Sequence, residues 1–318
     1  MDTSVMITLG FLVFAIVMFA WEKIPLSITA MVVAVGLHLS GVLSAKEAFA
    51  GFVDPNVLLF MGMFVIGEAF FATGVAVGVG NVVHKFAKTE TSLLVAVMMI
   101  TGILSGFLSN TGTAAVLIPV IIGICKKSGF KQTKLLMPLV FAAAMGGNIS
   151  LIGAPGNMIA QAGLQQAGLG SFGFFDYGLV GLPILIVGTI FYATIGKRFL
   201  PDTPSHQPDG AFEGNDDYSH VPSWKKWTSA LVLILTVGAM IFEKQLGVKL
   251  YVSAWVGALV LVATNVISES AAVRSIDMKT IMLFAGSMAL GDAMVKTGTG
   301  SVIADIIVNS LGASPSPI

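Results

Sequence analysis

Long apolar stretches alternate with short charged segments along the whole chain. Stretches suited to a single membrane crossing cover 5–21, 24–45, about 56–72, 177–196, 227–242, 250–268 and about 280–295. A membrane helix needs about 17 to 25 mainly apolar residues. The pattern therefore predicts an all-α polytopic membrane protein.

Two charge-free stretches do not fit a single crossing. Residues 91–125 have small or polar side chains at their centre and lysines beyond both ends, which predicts a re-entrant hairpin with Ser109-Asn110-Thr111 at its tip. The glycines and the proline that interrupt residues 135–175 predict a discontinuous helix over 135–168. Irregular backbone at membrane depth occurs where it lines a cavity. Both breaks are thus candidates for a binding site.

The two ends of the chain resemble each other. Four features recur in the same order: Glu22-Lys23 and Glu243-Lys244, Asp54 and Asp277, Glu68 and Asp292, Thr73-Gly74 and Thr297-Gly298. We predict a first transmembrane repeat over 1–198, a cytoplasmic linker over 199–226 and a partial second repeat over 227–318. The first repeat crosses five times, so the second is inverted, as in many secondary transporters.

Basic residues are distributed unequally between the predicted faces. Thirteen Lys and Arg fall on one face and four on the other. The positive-inside rule makes the richer face cytoplasmic, which places the N-terminus outside a multi-pass protein of the inner (plasma) membrane. Segments 74–88 and 301–311 are predicted to lie at the interface.

The second predicted repeat is short. Only 41 residues follow Asp277, whereas 144 separate Asp54 from Arg198. A second hairpin and broken helix are therefore expected either in a longer gene product of roughly 420 to 430 residues, by analogy with the first repeat, or in a partner chain. We favour the longer product, and we expect no coupled uptake by these 318 residues alone.

Composition narrows the function. Hydrophobic residues make up 55% of the chain and charged residues 11%, with zero net charge, which excludes a soluble globule and a nucleic-acid partner. Cys125 is the single cysteine and the four histidines are scattered, so neither a disulfide nor a zinc site is expected. We expect no cofactor and no enzymatic activity. The expected partners are the lipid bilayer and a small anionic substrate.

The tips offer oxygen ligands and helix N-termini. Half-helices direct unpaired N–H groups into a shared cavity and attract an anion, which Asn110 and Thr111 would help to bind. Hydroxyls, an amide oxygen and freed carbonyls suit Na⁺, for which the candidates are Ser105, Ser109, Asn110 and the carbonyl of Gly153. Glu68 and Asp292 are intramembrane carboxylates, which are candidates either for ion coupling or for simple helix packing.

Two motifs carry a family resemblance. L-S-N-T-G-T-A-A-V-L-I-P at 108–119 and G-G-N-I-S-L-I-G-A-P-G-N at 146–157, together with the repeat, resemble the divalent anion/sodium symporter family, among citrate-transporter-like permeases, over residues 1 to about 312. The resemblance implies Na⁺-coupled symport of a di- or tricarboxylate or a sulfate-like anion by alternating access, and a homodimer at full length.

The resemblance also implies roles for particular residues. Ser105, Ser109, Asn110 and Gly153 would form a Na⁺ site, and Asn110, Thr111, Ala154 and Asn157 would contact the substrate. Ala154 and Gly156 depart from the family pattern, which often has Ser or Thr and a second proline there. The identity of the anion is therefore open.

A second class of transporter is also possible. An arsenite-efflux or Na⁺/H⁺ antiporter of the same superfamily would share the hairpin, with Glu68 and Asp292 as proton carriers. An intramembrane serine protease is disfavoured because the chain has no G-x-S-G motif and the one intramembrane histidine is His38.

Overall fold

The computed structural model describes residues 2–78, 89–128, 130–200, 218–303 and 305, and within these ranges it contains helices and no strands. The α-helices are α1 (Thr3–Trp21), α2 (Leu26–Leu39), α3 (Ala45–Ala48), α4 (Pro55–Ala72), α5 (Glu90–Ser105), α6 (Asn110–Ser128), α7 (Thr133–Gly146), α8 (Pro155–Gln166), α9 (Gly178–Thr194), α10 (Ser223–Ile241), α11 (Glu243–Leu246), α12 (Leu250–Ala263), α13 (Glu269–Ser275) and α14 (Met278–Thr297). Short 3₁₀ turns cover Ala50–Val53, Gly196–Arg198 and Tyr218–His220.

The apolar helices fall into two length classes. Within the described residues, α1, α4, α10 and α14 can each cross a membrane by length and composition, and six further apolar stretches, including Asn110–Cys125 of α6, are 10 to 17 residues long. This confirms the predicted all-α polytopic class. The predicted crossings at 24–45 and 250–268 appear as 14-residue helices, α2 and α12. Both end early because the next turn contains a residue with positive φ, Gly41 at 78° and Asn265 at 56°.

One compact unit comprises residues 1–58, 159–171 and 277–318. Its core lies where α14 packs on α2 and α1. Leu37, Ala289 and Ala293 are completely or almost completely buried there. Helices α2 and α14 approach closely because a Cβ on Gly286 would collide with the backbone of Ala30.

The other unit comprises residues 59–158 and 172–276. Its main core is built from α5, α6, α7 and α9, with Leu93, Met98 and Leu139 buried at its centre. Helix α12 packs on α10. A Cβ on Gly62 of α4 would lie 2.8 Å from Cβ of Ala254, so α4 and α12 approach closely.

Positions paired in the predicted repeat share local geometry. The hydroxyls of Thr73 and Thr297 donate to the carbonyls of Ala69 and Ala293, both at 2.7 Å. The next residues, both glycines, have φ of 75° and 71°. The close pairs Gly62–Ala254 and Gly286–Ala30 are also equivalent positions, so each unit combines helices from both predicted repeats. The inversion itself stays a prediction.

Three predicted segments fall largely outside the described residues. These are the linker, of which 201–217 is not described, the first interfacial segment beyond residue 78, and most of the segment 301–311.

Candidate functional site

The predicted hairpin contains a short break between two helices. Helix α5 ends at Ser105, and the amide of Gly106 still donates to the carbonyl of Gly102 at 3.0 Å. Helix α6 begins at Asn110, and Ser109 Oγ accepts from the amide of Gly112 at 3.3 Å. A hydroxyl in this position satisfies an amide that the first helical turn leaves unpaired. The two arms contact each other and α7.

The predicted discontinuous helix has a longer break. Helix α7 ends at Gly146 and α8 begins at Pro155, a residue suited to a first helical position. Asn157 Nδ2 donates to the carbonyls of Gly147 and Ser150, both at 2.9 Å. Backbone groups that lose helical partners must find others at membrane depth. The side chain of Asn157 supplies two of these partners.

The two breaks lie against each other. The hydroxyl of Ser150, in the longer break, donates to the carbonyl of Gly106 in the shorter one. A Cβ on Gly153 would lie 2.5 Å from the carbonyl oxygen of Gly147 and 3.0 Å from that of Gly106. Glycine therefore permits the backbone of the longer break to approach both segments.

Four polar atoms converge where the breaks meet. One terminal amide atom of Asn110 lies 2.5 Å from Ser105 Oγ, 3.1 Å from the carbonyl oxygen of Gly153 and 3.2 Å from that of Ala143. Ser105 Oγ also donates to the carbonyl of Ala143 at 2.8 Å. As the amide nitrogen, this atom donates to both carbonyls; as Oδ1, it completes a group of four oxygens.

The electrostatics around this group come from backbone dipoles rather than from basic side chains. No Lys or Arg occurs in residues 89–125 or 135–196. The N-termini of α6 and α8 begin at Asn110 and Pro155, beside the converging atoms. Helix N-termini carry about half a positive charge and attract anions. The site thus combines converging oxygen atoms with positive helix ends.

The predicted substrate residues differ in exposure. Thr111 is exposed and Ala154 half-buried, whereas Asn157 is only 5% exposed. The backbone carbonyl of Asn157 also accepts from Tyr177 Oη at 2.7 Å. Asn157 therefore holds the longer break in place, and its direct contact with substrate stays a prediction.

The two predicted coupling carboxylates lie in different units. Glu68 is half-buried on α4, one residue after Gly67, which faces Leu108 of the shorter break. Asp292 lies on α14 of the other unit, within electrostatic range of Glu47 and Asp54. Their similar sequence context therefore does not give them similar surroundings.

Three participants were not foreseen from the sequence. Ser150 lies inside the G-G-N-I-S motif, so its position in the sequence could have indicated a polar contact at the longer break. The carbonyl of Ala143 and the hydroxyl of Tyr177 had no comparable signal, because their roles depend on how the backbone folds.

Comparison with known proteins gives a family match and relatives that are described as transporters. The sequence matches the family described as citrate transporter over residues 16–318. It is 33% identical over 211 residues to the uncharacterized transporter YfbS of Escherichia coli, a match that covers 66% of this chain and 35% of the relative.

More distant relatives align over nearly the whole chain. An uncharacterized transporter of Haemophilus influenzae is 25% identical over 319 residues, covering 94% of this chain and 67% of the relative. The uncharacterized transporter MJ0672 of Methanocaldococcus jannaschii is 24% identical, with 92% of this chain and 66% of the relative covered. The chain thus spans about a third to two thirds of the length of these relatives.

Proposed function

Because the chain belongs to the citrate transporter family of membrane transporters, we propose that it forms the ion and substrate site of a Na⁺-coupled symporter. The family match confirms the predicted resemblance. The matches indicate a transporter rather than an enzyme. The proposed substrate is a di- or tricarboxylate or a sulfate-like anion, carried across the cytoplasmic membrane by alternating access.

The observation that carries the proposal is the environment of the Asn110 amide. Its terminal atom faces Ser105 Oγ and the carbonyls of Gly153 and Ala143 within 3.2 Å. Without a cation, the nitrogen in this position satisfies both carbonyls. With Na⁺ nearby, rotation of the amide would present Oδ1 together with the hydroxyl and the carbonyls. Freed backbone carbonyls beside broken helices are a recurrent Na⁺ ligand in transporters.

A bound cation would also favour the anion. Ser109 caps α6, and the exposed Thr111 lies in its first turn. An anion close to the start of α6 would be attracted both by the helix dipole and by Na⁺ in a low-dielectric environment. Ala154 supplies no hydroxyl at the start of α8, so specificity would depend more on Thr111 and backbone amides.

Proton coupling is the second candidate, and Glu68 is the observation that favours it. Its carboxylate is half-buried within a helix that can span the membrane, and it forms no ion pair with another described residue. Intramembrane carboxylates of this kind often carry protons. Glu68 would then couple transport to H⁺, as in an arsenite-efflux or Na⁺/H⁺ antiporter type of carrier.

Binding to the purified chain separates the two candidates. We expect labelled citrate, succinate or sulfate to bind more tightly when Na⁺ replaces K⁺ at constant pH, and Asn110→Ala to remove this difference. The opposite result would be anion binding that is unaffected by Na⁺ but depends on pH, with the pH dependence lost in Glu68→Gln. That result would replace the Na⁺ proposal with the proton one.

The setting of the site is also proposed. The basic asymmetry supports an N-terminus outside the inner membrane, and the family resemblance supports a homodimer at full length. The same orientation places the turn around Gly170 outside. Cysteine labelling from outside that reaches position 170 only in opened membranes would contradict it.

A further inference from the structure

A basic cavity of about 440 Å³ lies away from the helix breaks, where the start of α5 and the start of α7 meet the 3₁₀ turn Gly196–Arg198. Three cationic side chains line it: Lys134, Lys197 and Arg198. Among the described residues that line it, Glu90 is the one acidic side chain. The cavity therefore carries a net positive charge and suits an anionic group.

Lys197 is held in place on one side of this cavity. Its Nζ donates to Thr91 Oγ1 at 3.1 Å, which uses one of three ammonium hydrogens. Arg198 is exposed, and within the described part of the chain neither residue forms an ion pair. Two adjacent cations thus retain donors for a ligand.

An apolar groove of about 570 Å³ runs between α7 and α9. Phe141 and Met145 line it from α7, and Val187 and Tyr192 from α9. The rings of Phe141 and Tyr192 are 5.8 Å apart. The groove therefore offers a continuous surface of aromatic and aliphatic side chains.

The groove lies between α7 and α9, and the cavity lies where α7 begins and just beyond the end of α9. Phe141 follows Lys134 by seven residues, a spacing that puts both on one face of α7 about two turns apart. Tyr192 precedes Lys197 by five residues, or about 7 to 8 Å along a helix. The basic cavity thus lies at one end of the apolar groove.

We propose that the cavity and the groove together bind an acidic phospholipid of the surrounding bilayer. The phosphate would contact Lys197 and Arg198, and an acyl chain would lie in the groove against Phe141 and Tyr192. Basic pockets between membrane helices bind acidic lipid head groups. A small soluble anion would make no contact with the groove, whereas a lipid would fill it. Phe199, next to Arg198, is 79% exposed and adds an apolar side chain beside the cavity. This site shares no residue with the proposed transport site.

Native mass spectrometry of the purified chain tests the head-group site. We expect phosphatidylglycerol to remain bound at detergent concentrations that remove phosphatidylcholine. The double variant Lys197→Gln/Arg198→Gln should weaken that binding about 10- to 30-fold, since each surface cation contributes roughly a factor of five. The matched control is Arg274→Gln/Lys279→Gln, which removes the same two charges from exposed positions elsewhere on the predicted cytoplasmic face. Equal losses in both variants would overturn the proposal.

A groove variant separates a lipid from other occupants. Val187, 65% exposed, lines the groove, and Val187→Trp should fill it. We expect this variant to weaken phosphatidylglycerol binding while leaving any binding of inorganic phosphate unchanged. If inorganic phosphate competes with the lipid equally well in both proteins, the site is for a free anion and the proposal fails. If Val187→Trp changes the oligomeric state but not lipid binding, the groove is an interface between copies and the proposal also fails.

Discussion

At the shorter helix break two polar side chains contact each other as well as backbone carbonyls, whereas the side chains of Ser150 and Asn157 at the longer break donate to backbone carbonyls. Ser105 and Asn110 meet beside two carbonyls, with Asn110 half-buried. Asn157 is buried and donates to two carbonyls of its own break. Under the proposed function, the shorter break exchanges ligands and the longer one is held rigid by its own hydrogen bonds. Two asparagines in similar Gly-rich motifs thus have different tasks.

Asn110→Ala tests the shorter break and should have the largest effect. We expect it to weaken Na⁺-dependent anion binding about 10- to 100-fold, because a contact to a charged group contributes about 1.5 to 3 kcal/mol. The folded state should persist, because Ser105 Oγ still donates to the carbonyl of Ala143 when the Asn110 amide is removed. Binding is measured on purified protein in Na⁺ and in K⁺.

The matched control for that experiment is Asn148→Ala. Asn148 lies in the longer break and is half-buried, and within the described residues its side chain makes one long hydrogen bond, 3.5 Å to the carbonyl of Ala144. Its replacement should leave Na⁺ dependence unchanged. If both alanine variants lose Na⁺ dependence equally, the assignment of the ligand role to Asn110 is wrong.

Asn157→Ala tests the longer break through stability. It leaves the buried carbonyls of Gly147 and Ser150 without this donor, which should lower the free energy of unfolding by about 2 to 3 kcal/mol. The check is a thermal melt in detergent without Na⁺ or substrate. An unchanged melting temperature combined with lost anion binding would show that Asn157 contacts the substrate and does not stabilise the break.

Gly153→Ala should have a somewhat smaller effect on stability. The added Cβ would lie 2.5 Å from the carbonyl oxygen of Gly147, and overpacking of this kind costs about 1 to 3 kcal/mol. Gly156→Ala is the control, because in the described part of the chain no atom outside its own helical turn lies within 4 Å of the corresponding Cβ. The same melts should separate the two variants. Equal melting temperatures would show that the backbone around Gly153 is not closely packed.

The smallest effect is expected outside both breaks, at Glu47. A hydrogen bond from Lys296, followed by those involving Ser44, lowers the pKa of Glu47 from 4.5 to about 2. Because the folded-state pKa is lowered, the stabilisation is present above pH 4.5 and is lost as the pH falls towards 2. The difference in melting temperature between the unaltered chain and Glu47→Gln should be small, since the pair is exposed, and should shrink over that range.

Lys46→Gln is the control for this pH dependence. Lys46 is an exposed neighbour of Glu47 on the same helical turn. Any difference that it produces should stay constant over the same pH range, because the substitution leaves the hydrogen bonds from Lys296 to Glu47 in place. A difference for Glu47→Gln that does not change with pH would contradict the lowered pKa.

The sequence predicted where helices break better than it predicted what holds the breaks. Gly, Pro and polar residues inside charge-free stretches locate both breaks, and α6 begins at the predicted tip residue Asn110. The hydrogen bond from Asn157 to the carbonyl of Gly147 and that from Ser105 to the carbonyl of Ala143 could not be predicted, because such contacts depend on backbone positions that no local pattern encodes. The short α2 and α12 were also missed, since a turn residue with positive φ ends each apolar stretch early.

Direct Na⁺ binding tests the central assignment without requiring transport. The proposed ligands all lie between Ser105 and Gly153, within this chain. Equilibrium binding of radioactive sodium to the purified chain should be saturable, should be lost in Asn110→Ala and should persist in Asn148→Ala. Saturable binding that survives Asn110→Ala, or no saturable binding by the folded unaltered chain, would contradict the account.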